Sequence, residues 1–183
     1  MGSGRDGASA WGCNDAMAKT MTILPVTDQL LVRTRIEAFM ADYVHAIDAD
    51  RLEEWPNYFT EDAVYQVRTR ENHECGLPLN VMSCNGHGML RDRISALRTA
   101  NIYEPHVYCH LIGPFRILDC NPGSAQTESN FQVIRTMVDG AMSIFACGRA
   151  FDTFAIGSDA LKLSERIIVL DSRQIDTLLV IPL

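Results

Sequence analysis

Apolar residues between positions 28 and 49 recur at helical intervals. Ile36, Met40, Tyr43 and Ile47 are spaced by four, three and four, Phe39 and Val44 widen the stripe, and Arg33, Arg35, Glu37 and Asp42 fall elsewhere. This predicts an amphipathic helix from about residue 28 to Ala49, with Thr27 or Asp28 as its cap just after Pro25. Asp48 or Asp50 is placed to cap a short second helix carrying Leu52 and Trp55, which Pro56 keeps from lengthening because proline has no amide donor. Phe59, Ala63, Tyr65 and Val67 then read as a strand, alternating with period two from Ala63. Between Arg70 and Gly88 the period changes repeatedly, which predicts a long ordered loop with a short strand around Leu79 to Met82. Leu90, Ile94 and Leu97 return to helical spacing and predict a third helix stopping near Asn101.

After Pro105 the pattern is β-like: residues 107–118, 126–138, 142–156 and 161–170 read as strands. Asp139-Gly140 can take the positive φ values of a tight hairpin turn, as can Gly157-Ser158-Asp159, so the last strands are expected to be antiparallel neighbours. Strands this long must twist and curl, and helices can cover the concave side. The expected fold class is α+β: a cone-shaped curved antiparallel sheet covered by about three N-terminal helices. This order resembles the fold shared by nuclear transport factor 2, ketosteroid isomerase and scytalone dehydratase, also described as cystatin-like. Fold alone does not choose a function. Residues 25–183 are expected to form one domain, and residues 1–24, rich in Gly, Ala, Ser and Thr, a flexible N-terminal arm or a segment upstream of a start at Met17 or Met21.

With 183 residues, 47% of them apolar, the chain can build one core that removes roughly 70% of its unfolded surface from water. A net charge of −7 leaves no excess of cations for a phosphate backbone, and the local cluster Arg91, Arg93 and Arg98 is interrupted by Asp92, so nucleic acid is not an expected partner. No apolar run approaches the roughly 20 residues that span a bilayer, and the first 25 residues lack the apolar core of a secretion signal; a cytoplasmic protein without a membrane partner is expected. The six cysteines have no repeating spacing, which predicts reduced thiols.

Metal signatures are incomplete. Cys84-Asn-Gly-His87 has the C-x-x-H half of a Rieske ligand set, without a C-x-H half upstream. His106 and His110 lie on a predicted strand, which separates them by roughly 13 Å and prevents local chelation. The chain also lacks a G-x-S-x-G elbow, a Walker loop and a G-x-G-x-x-G turn. What remains is a group of residues able to point into the cone: Tyr43, Asp48, Tyr65, His106, Tyr108 and His110. In a dry pocket Asp48, His110, Tyr43 and Tyr65 could support proton transfer, the Asp holding the imidazole and a phenol donating to an enolate, as in a cofactor-free lyase or isomerase. The competing reading makes Tyr43 a core aromatic, Asp48 a helix cap and His110 a hydrogen-bonded interior histidine. A small-ligand binding module is a third.

Several segments carry a more specific resemblance. Met89-Leu-Arg-Asp-Arg-Ile94, Tyr103-Glu-Pro-His106, Tyr108-Cys-His110, the stretch from Trp55 to Tyr65, the loop Arg70-Glu-Asn-His-Glu-Cys-Gly-Leu-Pro-Leu79 and the ending Leu170-Asp-Ser172 resemble the small, or β, subunit of Rieske non-haem iron aromatic-ring-hydroxylating dioxygenases. The likeness spans about residues 30 to 183, and the loop and third-helix wording is most like the terephthalate dioxygenase and salicylate 5-hydroxylase types. The resemblance implies a non-catalytic structural subunit in the catabolism of a carboxylated aromatic compound. It implies no cofactor in this chain, with the Rieske 2Fe-2S cluster and mononuclear iron in a large α subunit. It also implies a mushroom-like α3β3 heterohexamer fed by a separate reductase. Arg91 and Arg93 are then candidate subunit-interface residues, against a solvated or intrachain salt-bridged role. Many relatives carry arginine before the histidine matching His110; here Cys109 stands in that place, so a contact by that arginine does not carry over.

Overall fold

The structure, a computed structural model, describes residues 26–100, 103–158, 160–172 and 179–183. Helix α1 (Val26–Asp48) buries Ile36, Met40, Tyr43, Val44 and Ile47, the stripe its spacing predicts, and Phe39 packs half-buried beside them. Each such large side chain contributes roughly 1.5–3 kcal/mol by leaving water. Asp28 lies within the first turn rather than ahead of it, and the arm expected over residues 1–24 falls outside the described residues.

The second helix is a 3₁₀ turn (Leu52–Tyr58). Three residues per turn set Leu52 and Trp55 above one another, and both are fully buried. Pro56 is accommodated inside it and buried. Neither Asp48 nor Asp50 caps this turn: its N-cap is Arg51, without a side-chain bond. The reason is competition, because His110 takes the Asp48 carboxylate and Arg98 takes that of Asp50.

Strand β1 (Phe59–Thr69) follows, then a short helix α2 (Arg70–Glu74) where the sequence suggests only a loop. The Thr69 hydroxyl accepts from the Asn72 amide at 3.3 Å and supplies the cap that starts it. The short strand of this region, β2, is Met82–Asn85, a few residues later than expected, and its register against β1 pairs Tyr65 with Cys84. Helix α3 (His87–Thr99) buries Leu90, Ile94 and Leu97. Four long strands complete the chain: β3 (His106–Asn121), β4 (Ser124–Met137), β5 (Met142–Ile156) and β6 (Leu161–Leu170), close to their expected limits.

The sheet order is β2-β1-β6-β5-β4-β3. All neighbours are antiparallel except β1 and β6, which run parallel, a pairing the hairpin signals do not reveal. Gly140 takes φ +87° at the β4–β5 turn, as Asp139-Gly140 suggests; Gly157 is outside the positive-φ region, and Asp159 lies outside the described residues. Register shifts within β3–β4, β4–β5 and β5–β6 mark the bulges that bend such long strands. Under the helices, Trp55, Phe59 and Tyr65 meet edge to face at 5.1–6.1 Å, and the buried segment Leu179–Leu183 joins them in the core.

Candidate functional site

Helix α1 ends at Asp48, whose side chain reaches strand β3. Its Oδ2 accepts from the backbone N–H of His110 at 2.9 Å, and its Oδ1 accepts from His110 Nδ1 at 2.6 Å. The His110 side chain is only 4% exposed and that of Asp48 20%. His110 Nε2 is buried and has no hydrogen-bond partner among the described residues. Period-two geometry places His106, Tyr108 and His110 on one face of β3, as a ladder of ring contacts: 4.8 Å from His106 to Tyr108 and 6.0 Å from Tyr108 to His110. A cavity of about 240 Å³ opens beside this ladder, lined by Asp48, Asp50, Tyr103, His106, Tyr108 and Ile181.

Tyr43 and Tyr65 belong to a different cluster. The Tyr43 hydroxyl accepts from Trp55 Nε1 at 2.9 Å and donates to the Leu183 carbonyl oxygen at 3.2 Å. The Tyr65 hydroxyl donates to the same oxygen at 3.3 Å and accepts from the Leu183 N–H at 2.9 Å. Burial pushes both phenols above their ordinary pKa, so each stays a neutral donor. Arg166 lies beneath, its guanidinium 4.8 Å from the Tyr43 ring centroid and its Nε 3.5 Å from the Leu183 oxygen. One Arg166 nitrogen bridges both oxygens of Asp152 at 2.8 Å, with side chains 2% and 3% exposed. Burial alone would lower the Arg166 pKa; the charge of Asp152, with Tyr43 and Tyr65, outweighs it and keeps the guanidinium charged.

The four residues of the proton-transfer reading therefore divide into two pairs with different partners. Asp48 and His110 meet directly, while both tyrosines hold Leu183. Arg93 is half-buried and donates to the carbonyl oxygens of Leu179 and Val180, so this interface candidate serves the chain itself; Arg91 is exposed on α3. Cys84 is buried, which raises its thiol pKa against the pull of Arg93, and no group of three or more His, Cys, Asp or Glu side chains could hold a metal among the described residues. The sequence reading misses Arg166 and Asp152. Their signal is an unlike pair of charges at core-facing positions: Asp152 alternates with buried Ala150 and Phe154, and Arg166 with buried Ile168 and Leu170, and the two stand opposite each other in register.

Residues 43–177 match the family model for the ring hydroxylating beta subunit. The chain belongs to this family. It is 42% identical over 149 residues to subunit beta 2 of the terminal oxygenase component of terephthalate 1,2-dioxygenase from Comamonas sp, covering 81% of this chain and 97% of that one. It is 36% identical over 154 residues to the anthranilate 1,2-dioxygenase small subunit of Burkholderia cepacia, covering 83% and 96%. A crystal structure from Novosphingobium aromaticivorans, assigned as the beta subunit of an aromatic-ring-hydroxylating dioxygenase, superposes with a TM-score of 0.79 at 37% identity, covering 85% of this chain and 99% of that one. The protein is thus a beta subunit of the ring-hydroxylating type: part of an oxidoreductase, and not its catalytic subunit.

Proposed function

We propose that this chain is the structural small subunit of an oxygenase that acts on a carboxylated aromatic compound, in an α3β3 hexamer with a large subunit in the cytoplasm. The observation that carries the reading is its near full-length likeness to the terephthalate and anthranilate dioxygenase subunits. The Rieske cluster and mononuclear iron then belong to the large subunit: Cys84 and His87 form half a ligand set at best, and His106 and His110 are spread along a strand. This chain's own contribution is shape and contact surface. Arg91, exposed on α3, is a candidate contact, as is the face of β3, β4 and β5 away from the helices. There Val107, Leu111, Met142 and Ile144 are 50–73% exposed, an apolar surface suited to another subunit.

Co-expression with a large subunit tests this. The expected result is a complex of three copies of each chain, with iron and acid-labile sulfide following the large one. Failure to co-purify, or a stoichiometric cluster in this chain alone, overturns it. The 2.6 Å Asp48–His110 contact favours a second reading, a cofactor-free lyase or isomerase. It predicts turnover of a ketonic substrate by the isolated chain, lost in His110→Gln.

A further inference from the structure

The cavity between the end of α1 and the start of β3 has a wall of rings. Tyr103, His106 and Tyr108 follow one another along it, with centroids 5.5 Å and 4.8 Å apart. Two of these rings are fixed by groups that do not line the cavity: the Glu104 carbonyl oxygen accepts from His106 Nδ1 at 2.7 Å, and Tyr108 stacks on Phe145 at 4.9 Å. Asp48, which does line it, is fixed in the same manner by His110, which does not. The two bonds from His110 use two of the roughly four lone-pair positions of the carboxylate and leave the others for an occupant. The Asp48 side chain is 20% exposed and has no Lys or Arg partner among the described residues; His110 offsets its charge only when protonated. Asp50, also in the lining, shares the Arg98 guanidinium with Glu53, so one cation serves two carboxylates.

The excess of carboxylates makes the field in the cavity negative, which repels a carboxylated aromatic compound and attracts a cation. Aromatic faces attract cations as well, and they stack on a further ring. The volume of about 240 Å³ exceeds the roughly 150 Å³ that encloses a benzene, so there is room for one ring with a short side chain. We propose that this cavity binds a small aryl-alkyl ammonium ion, its ring against Tyr103 and Tyr108 and its ammonium donating to Asp48. The large subunit takes no part in this site, so its test stands apart from that of the assembly.

Titration of the full chain with benzylammonium chloride at neutral pH and constant ionic strength, followed by backbone amide NMR, tests the site. The amides of Tyr103, His106, Val107 and Tyr108 are expected to shift saturably in the millimolar range, and the affinity to weaken several-fold as salt is raised. Benzyl alcohol has the same shape without the charge and is expected to bind about tenfold more weakly; benzoate is expected not to bind. A lysine side chain brings the ammonium without the ring, so Nα-acetyl-lysine methylamide is expected to bind several-fold more weakly than benzylammonium. Asp48→Asn keeps an acceptor for His110 and removes the charge. It is expected to bring benzylammonium down to the affinity of benzyl alcohol and to leave benzyl alcohol unchanged. The proposal is overturned if benzylammonium gives no saturable shifts at these amides, or if the alcohol or benzoate binds as well as the ammonium. Binding of the lysine derivative as tight as that of benzylammonium also overturns it, because the occupant is then a protein side chain rather than a free aryl amine. The wild-type series decides the matter even where Asp48→Asn does not fold.

Discussion

At Asp48 both carboxylate oxygens accept from one residue, so Asp48→Ala leaves two donors of His110 without a partner in a site that is nearly dry. Each buried donor left unsatisfied costs about 1–3 kcal/mol, and the variant is expected to lose on the order of 3 kcal/mol in urea unfolding. Asp48→Asn keeps the volume and one acceptor oxygen, and its loss should be smaller. Glu128 gives the acid side of the stability curve. Its side chain is 9% exposed; burial pushes its pKa up, but the hydrogen bonds of Arg116 and Arg149 prevail and hold it below its ordinary 4.5. A lowered folded value means the stabilisation is complete above the unfolded pKa and is lost as pH falls through the folded one. Wild type should therefore lose stability more steeply than Glu128→Gln between about pH 5 and about pH 2, read from urea midpoints. The sequence reveals Asp48 and His110 as polar groups on core-facing positions, but their contact spans 62 residues. It depends on where α1 ends relative to β3, which no local pattern encodes. The same holds for Leu183, whose partners lie on three elements.

The elements themselves are legible where one side faces the core and the other faces water. Strands β3 to β6 and helix α3 follow their expected limits because alternation and helical spacing are enforced by burial. Helix α2 escapes because it buries nothing; a hydroxyl cap alone marks it. The parallel β1–β6 pairing escapes because it joins strands far apart in the chain, where turn chemistry says nothing. Gly148 shows how tightly β5 and β6 are fitted. A Cβ there would lie 2.0 Å from the Val169 carbonyl oxygen, a backbone atom that cannot swing aside. Gly148→Ala must part the two strands, and the expected cost is on the order of 3 kcal/mol, seen as a lower urea midpoint with unchanged slope. Gly123→Ala, with only the Asn121 side chain 3.9 Å away, is the control expected to change little.

For the whole molecule the question is which surface the fold leaves for a partner. The register aligns Val107, Thr136 and Met142 in one row and Cys109, Ile134 and Ile144 in the next, so the apolar side chains form a continuous strip across three strands rather than scattered contacts. Val138, 75% exposed, extends it toward the turn. Met142 and Ile144 are 73% and 65% exposed, so replacing both with lysine should alter the folded chain's own stability by no more than about 0.5 kcal/mol. Against another subunit the same change places two charges where apolar atoms meet, at about 3 kcal/mol or more, which is over a hundredfold in affinity. Co-expressed with the large subunit, Met142→Lys/Ile144→Lys is therefore expected to elute as a folded small chain, separate from the oxygenase, with circular dichroism like that of wild type. Retention of the large subunit by this variant would place the contact surface elsewhere, and Arg91→Glu on α3 would then be the next substitution to separate the two chains.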